Sequence, residues 1–339
     1  MSNNQKIQTG INAVSNGWFR AEIDKKTLKE LSKRNDYEGW KHMIIFFLSL
    51  TILGYACVVL WGTWWFILPY LAYCTLHAGG DAIWHECGHR TAFKTRKLNN
   101  FFYLIGSYMN SFEPVRWRWS HSLHHSYTAS IDPHDYETEE MIYAEKTMFR
   151  YLFGFLPGSM FFYIHKTLYV EIIKHALGIR TNVMNDCIPE DQIKKCINSS
   201  RIFVLIWLSI IVFSIYIQSL IPILLFLIPR FFANFAMWGI TQHTGLKGNV
   251  KDHRVTTRSI RLNPIFSFIY WKMEYHVEHH MFPMIPSYNL PKLYEVIKDQ
   301  LPPVKKNIWD AYKEIIPAIL KQAKNPNYVL KVDLPKAAT

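Results

Sequence analysis

Residues 43–80 read MIIFFLSLTILGYACVVLWGTWWFILPYLAYCTLHAGG, 38 positions without an Asp, Glu, Lys or Arg. A single helix of that length would be about 57 Å long, nearly twice the ~30 Å hydrocarbon core of a bilayer. The run must therefore fold back on itself, and Trp61-Gly62-Thr63 supplies the turn. Two spans are predicted, 43–60 and 64–84, with Trp61, Trp64 and Trp65 in the interfacial aromatic belt. A second uncharged run covers the 28 residues 202–229, and the apolar pattern resumes after Arg230 as far as residue 240. With a turn at Gln218-Ser219, ahead of Pro222, it predicts spans 202–217 and 220–240. Arg230 inside the last span must face protein or water, because a charge facing lipid is costly. Four buried helices of a large soluble protein are the alternative, but uncharged runs of this length are rare in soluble cores. The expected fold is all-α and integral to the membrane, with four transmembrane helices arranged as two hairpins.

Whole-chain averages hide this pattern. The 339 residues are 50% hydrophobic and 16% aromatic, and the formal net charge is +12; the mean hydropathy is near zero. Disorder is excluded by the ample apolar surface. A disulfide scaffold is excluded by ordinary cysteine usage, and Cys57, Cys74, Cys87, Cys187 and Cys196 form no CxxC pair. No cleavable signal peptide is expected, since a charged stretch precedes the first apolar run. The turns between spans carry no charge, whereas Lys and Arg fill the remaining segments, so the positive-inside rule places those segments in the cytosol. The predicted organisation is a single unit: a cytosolic segment 1–42, hairpin 43–84, cytosolic cap 85–201, hairpin 202–240, and a second cap portion and tail 241–339. Termini and site are expected on the cytosolic side of a bacterial inner membrane or endoplasmic reticulum. The apolar stretches 101–109 and 151–164 are too short or interrupted to span and suit the interface plane.

Eight of the 15 histidines fall into three clusters: His85 and His89 in HECGH, His121, His124 and His125 in HSLHH, and His276, His279 and His280 in HVEHH. On a helix, positions i and i+4 share a face with i+3 adjacent, so each cluster would present a nitrogen-rich face. Imidazole suits borderline metals such as iron, zinc and copper. Eight ligands exceed what one ion accepts, which points to two ions. HECGH also matches the HExxH of zinc proteases, with Glu86 as base, but that reading leaves six clustered histidines unexplained. Its ExxH fits soluble carboxylate di-iron bundles only if a second ExxH is present, and none is suitably placed.

The order and spacing of the three clusters resemble the membrane fatty acid desaturase and hydroxylase superfamily. So does their setting, with Trp117-Arg118-Trp119-Ser120 before the second cluster and Met281-Phe282-Pro283 after the third. The likeness runs over residues 40–300. It implies four membrane helices beneath a cytosolic helical cap that holds two irons. It also implies a ninth ligand just after the fourth span, where His243 stands. His134 and His253 are further candidates; His77 fits the pocket or a helix interface, and His42, His165 and His175 fit structural places. Asp81, four residues before His85, is placed to accept that ring's other N–H, the usual outer support of a metal-bound imidazole; Glu86, Glu113, Glu274 and Glu278 are weaker candidates for such support.

The resemblance further implies use of dioxygen as co-substrate to attack an unactivated C–H bond. Loss of two hydrogens gives a double bond and insertion of oxygen gives an alcohol. An acyl or lipid substrate and desaturation are expected, with hydroxylation of a lipid or small molecule as the alternative. No HPGG motif signals a fused haem domain, no NYxEHYG stretch signals an alkane hydroxylase, and no GxGxxG signals a nucleotide cofactor. Electrons must then come from a separate ferredoxin, rubredoxin or cytochrome with its reductase. The basic face suits such an acidic donor as well as anionic lipid; no nucleic-acid partner is expected.

Overall fold

The computed structural model describes residues 17–138, 164–233 and 239–335. Among these residues the chain is helical, with no strand beyond a single bridge between Ile260 and Lys305. A short helix α1 (Lys25–Leu31) leads into α2 (Asp36–Val59), which starts where Asn35 caps the Tyr37 amide at 2.9 Å. With 24 residues α2 is about 36 Å long, enough to cross a bilayer. It begins ahead of the predicted residue 43, because lack of charge marks where a helix meets lipid rather than where it starts. The turn at Trp61-Gly62-Thr63 forms as expected; Gly62 has φ +82°, a region costly for other residues. Trp64 and Trp65 beside it are strongly exposed.

The predicted second span is not one straight helix. It consists of a 3-10 turn (Trp64–Phe66), α3 (Ile67–Ala78) and α4 (Gly80–Gly88), separated by a break at Gly79. The break is a packing requirement: a Cβ on Gly79 would lie 2.9 Å from the Ile269 carbonyl oxygen. α4 then packs along α5 (Arg96–Asn110). At their crossing a Cβ on Gly106 would lie 2.6 Å from the Trp84 amide nitrogen and 2.7 Å from the Gly80 oxygen. α5 contains the 101–109 stretch and turns Phe102, Tyr103 and Gly106 inward while Phe101 and Leu104 stay exposed. Residues 151–163 of the 151–164 stretch and the side chain of His165 lie outside the described residues.

α6 (Pro114–Ser126) follows, then α7 (Ile164–Ala176), α8 (Asn182–Cys187) and α9 (Glu190–Tyr216). At 27 residues α9 is about 40 Å long; the predicted boundary at 202 falls inside it, its first turns being polar. Leu48, Ile52 and Val59 on α2, and Leu205, Val212 and Ile215 on α9, are each more than half exposed. Such apolar faces are unusual on soluble monomers. The Gln218-Ser219 turn forms, with Gln218 at φ +51°.

The fourth predicted span is interrupted: α10 (Ile221–Phe226) ends, α11 (Pro229–Phe232) begins, and Ala233 is extended. Pro229 has no N–H to give the Leu225 carbonyl. The hydroxyl of Tyr73 on α3 donates to that oxygen instead, at 2.8 Å, and Tyr70 donates to Leu224 O at 3.1 Å. Arg230 is half-buried as expected. Its guanidinium donates to the Asn110 carbonyl and lies 4.4 Å from the Phe112 ring centre. The remaining described α-helices are α12 (His253–Thr256), α13 (Pro264–Ile269), α14 (His276–Met281), α15 (Leu290–Ile297) and α16 (Ile308–Lys324), with 3-10 turns at Ser287–Asn289 and Lys298–Gln300. The segment after α16 returns to the site, where Leu330 N–H donates to Gly245 O at 2.8 Å.

Candidate metal centre

Three helices and one turn bring the histidines together. α4 carries His85, with His89 at its C-cap; α6 carries His121, His124 and His125; α14 carries His276, His279 and His280. His243 lies in the turn beyond residue 240. Local chemistry sets each element. The Glu113 carboxylate caps α6 by accepting the Val115 and Arg116 amides at 3.0 and 2.6 Å. Ser259 fixes α14 by accepting the Val277 amide at 3.0 Å and donating to Glu278 at 2.5 Å.

The nine imidazoles form two groups, His85/His89/His121/His125/His279 and His124/His243/His276/His280, with the ligand atoms of each group within 4.8 Å of one another. All are buried except half-buried His89. The groups do not follow the clusters. Each HxxHH divides, its i, i+4 pair entering one group and its middle histidine the other. At about 100° per residue, positions i and i+4 are about 40° apart on the helix, whereas i+3 and i+4 are about 100° apart. The expectation of one shared face per cluster is corrected accordingly: α6 and α14 each serve both groups.

The Nε2 atoms point at one another. In the first group His89 and His125 lie 3.0 and 3.2 Å from His121, and His279 lies 3.2 Å from His125. In the second group His280 lies 3.2 Å from His124 and 3.0 Å from His276, and His243 lies 3.1 Å from His276. Several outer contacts settle where the ring protons sit. The Nδ1–H of His121 donates to Glu137 at 2.8 Å, that of His124 to Asp135 at 3.0 Å, and that of His243 to Thr256 O at 2.9 Å. Thr128 spends its hydroxyl proton on His124 O at 2.7 Å, so it accepts from His280 Nδ1 at 3.2 Å. In each of these rings the Nε2 lone pair therefore faces inward. Burial, reinforced by neighbouring imidazoles, holds His125, His276, His279 and His280 well below the usual 6.5, and burial brings His243 to about 3. These rings are neutral, the form in which an imidazole can ligate a metal. His124 departs from this pattern: burial opposes its charge, yet the Asp135 carboxylate raises its pKa.

The Nε2 lone pairs of His124 and His280, 3.2 Å apart with no proton between them, are mutually repulsive unless a cation joins them. Bonds of about 2.1 Å from a first-row metal place ligand nitrogens about 3.0 Å apart at right angles and about 3.4 Å apart in a tetrahedron. The observed 3.0–3.2 Å edges fit that spacing. A sequence model named Fatty acid desaturase matches residues 60–312, most of the chain. The chain belongs to the fatty acid desaturase family. It is 31% identical over 132 residues to an sn-1 oleoyl-lipid 12-desaturase of Anabaena variabilis, covering 38% of this chain and 36% of that protein. It is 20% identical over 240 residues to a Delta(5) fatty acid desaturase of Caenorhabditis elegans, covering 63% and 53%. The matches thus span between a third and about half of these relatives' lengths.

Other sequence-based candidates have different places in this desaturase-family chain. Asp81 does not support His85: the buried Nδ1 of His85 has no hydrogen-bond partner among the described residues, and the charges around Asp81 are Arg230, Glu137 and His121. Glu86 accepts the Ser287 amide at 2.9 Å and lies in neither group. It is therefore not poised as the base a zinc protease would need. Glu274 bonds Ser267, while Glu113 and Glu278 hold the ends of α6 and α14. His134 packs against Tyr136 and His253 against Trp18, both outside the two groups. His77 is buried beside Tyr73, His42 lies between Phe268 and Trp271, and His175 bonds Thr181 at 2.8 Å.

The supports that sequence reasoning missed are Asp135 and Glu137. Their signal in the sequence is Asp132-Pro133-His134-Asp135-Tyr136-Glu137, directly after the second cluster. Burial opposes the charge on both carboxylates, yet His124 holds Asp135 below the usual range and His121 does the same for Glu137.

Proposed function

We propose that this chain is a membrane-bound, dioxygen-dependent di-iron oxidoreductase that desaturates a fatty acyl chain of a lipid. The observation that carries this reading is the pair of buried all-imidazole groups in a fatty acid desaturase family chain. His85, His89, His121, His125 and His279 would hold one iron, and His124, His243, His276 and His280 the other. Iron held there supplies oxidation of an unactivated C–H bond by dioxygen and externally delivered electrons.

The residues provide the setting. Asp135, Glu137, Thr128 and the Thr256 carbonyl orient four rings through their Nδ1–H groups, and a fixed arrangement removes reorganisation at the moment of reaction. Burial of the cluster keeps bulk water from the reacting carbon. Desaturation balances as two hydrogens from the acyl chain, two external electrons, two protons and one dioxygen giving one double bond and two waters. The separate donor is a ferredoxin, rubredoxin or cytochrome. The chain forms one unit that crosses the membrane four times, with the broken 64–84 and 220–240 segments as the second and fourth crossings and the centre on the cytosolic face.

Purification in iron medium followed by elemental analysis is expected to give about two irons per chain, with loss in His124→Ala and His279→Ala. Lipid mass spectrometry under labelled dioxygen then reads the reaction: loss of two hydrogens without label supports desaturation, and label in the product makes the chain a hydroxylase. One zinc per chain, or no bound metal, refutes the proposal.

A further inference from the structure

Trp18 and His253 are absorbed neither by the two imidazole groups nor by the membrane helices. The half-buried Trp18 indole stacks on the His253 ring, with centroids 4.2 Å apart and planes 11° apart. His253 is buried at the start of α12, and its ring centre lies 5.2 Å from that of His280. His280 in turn has its Nε2 3.0 Å from His276 and 3.2 Å from His124. Two ring contacts thus lead from a partly solvent-facing indole to a nitrogen of the second group. The Nδ1 of His253 has no hydrogen-bond partner among the described residues, so hydrogen bonding at that atom does not explain an imidazole there.

The surface around Trp18 is basic. Arg20, Lys247 and Lys251 are exposed. The side chain of Lys251 borders Gly17, and its carbonyl accepts the Phe19 amide at 2.9 Å. The guanidinium of Arg20 lies 4.8 Å from the ring centre of Phe282, just beyond the third cluster. Asp252, the acid beside His253, is paired with Arg254 at 2.8 Å.

We infer that reducing electrons enter this chain through Trp18 and His253 from a small acidic one-electron redox protein docked on the surrounding cations. The inference rests on the di-iron reading and adds the point of entry. One electron leaves the donor's centre, which is oxidised, and arrives on iron held by His124, His243, His276 and His280, which is reduced. Two transfers serve each turnover. The indole and imidazole bridge the transfer and change neither oxidation state nor protonation. Electron transfer slows steeply with distance through protein, so a bridge of two ring contacts, one stacked and one tilted, from the surface to a ligating ring sets the rate. Opposite charge on the partner steers its approach and fixes its orientation.

The test uses the iron-loaded full chain, mixed anaerobically with a reduced plant-type [2Fe–2S] ferredoxin as an acidic one-electron probe while loss of ferric absorption is followed. Lys247→Glu with Lys251→Glu is expected to raise the half-saturating ferredoxin concentration about tenfold and flatten its salt dependence. Trp18→Leu and His253→Leu are expected to lower the limiting reduction rate several-fold with iron content unchanged, and His253→Phe, which keeps a ring, to restore it. Leucine variants that keep full iron and are reduced at the wild-type rate overturn the route, as do leucine variants that lose iron, since that marks a packing role. A wild-type chain that binds no iron overturns the di-iron reading itself, so the two failures are distinguishable.

Discussion

Replacing Asp135 with asparagine is expected to weaken one metal position and spare the other. The carboxylate accepts from four residues: His124 Nδ1 at 3.0 Å, the Ala129 amide at 2.8 Å, the Thr138 hydroxyl at 2.6 Å and the Glu137 amide at 3.1 Å. Its two oxygens divide these donors between them. Whichever way an asparagine amide is turned, its NH2 therefore meets N–H or O–H donors. The bond to His124 is charge-assisted, and loss of such a bond costs about 1.5–3 kcal/mol. Loss of the outer partner of a metal-bound histidine lowers metal affinity about 10–100-fold, or about 1.4–2.8 kcal/mol, so the two estimates agree. His124 belongs to the four-histidine group, whereas Glu137 supports His121 in the five-histidine group. Asp135→Asn is thus expected to weaken the four-histidine position about 10–100-fold, and Glu137→Gln the five-histidine position about tenfold. The assay is competitive chelator titration resolved into two steps, run above the ordinary imidazole pKa of 6.5, where the raised proton affinity of His124 competes least. Wild-type affinity at both positions in Asp135→Asn, or equal loss at both, would refute the reasoning.

Three other substitutions probe the frame. Gly106→Ala sets a methyl against the backbone of Trp84 and Gly80 at 2.6–2.7 Å and should destabilise by about 1–3 kcal/mol; an unchanged Tm in detergent would show that α4 and α5 can part freely. Tyr73→Phe leaves the Leu225 carbonyl without its donor and should cost about 1 kcal/mol, read by thermal or denaturant unfolding against wild type. His175 is buried, and burial lowers its pKa from 6.5. The unfolded state therefore takes up the proton first, so this group's contribution is present above 6.5 and is lost as pH falls through the lowered value. His175→Gln should flatten the acid limb of the stability curve; an unaltered limb would assign that limb to other groups.

The histidines were legible because spacing alone distinguishes a helical face from scattered residues, and His243 was legible through family resemblance. Their division into two groups is carried by the same spacing, since about 100° of rotation separates His124 from His125, but which group each ring joins depends on how the helices pack. Asp135 and Glu137 escaped because their use depends on the chain turning back onto α6, a tertiary event without local periodicity. The hairpin turns at Gly62 and Gln218 followed from length against bilayer thickness. The breaks at Gly79 and Pro229 did not, because a search for missing charge is blind to backbone hydrogen bonding. Gly79 bends where another segment's carbonyl presses on it, and Pro229 is accommodated because a tyrosine on the neighbouring α3 supplies the missing donor.

The facing Nε2 atoms bear on how the chain is made as well as on what it does. The Nε2 lone pairs of His124 and His280, 3.2 Å apart, resist being gathered, and these rings stand on α6 and α14, two of the helices that assemble the centre. A metal bound there would act as a folding ligand, its binding free energy linked to the packing of α4, α6 and α14. Iron supply during synthesis should therefore govern how much intact chain accumulates, and a chelator should lower its melting temperature before any turnover is asked of it.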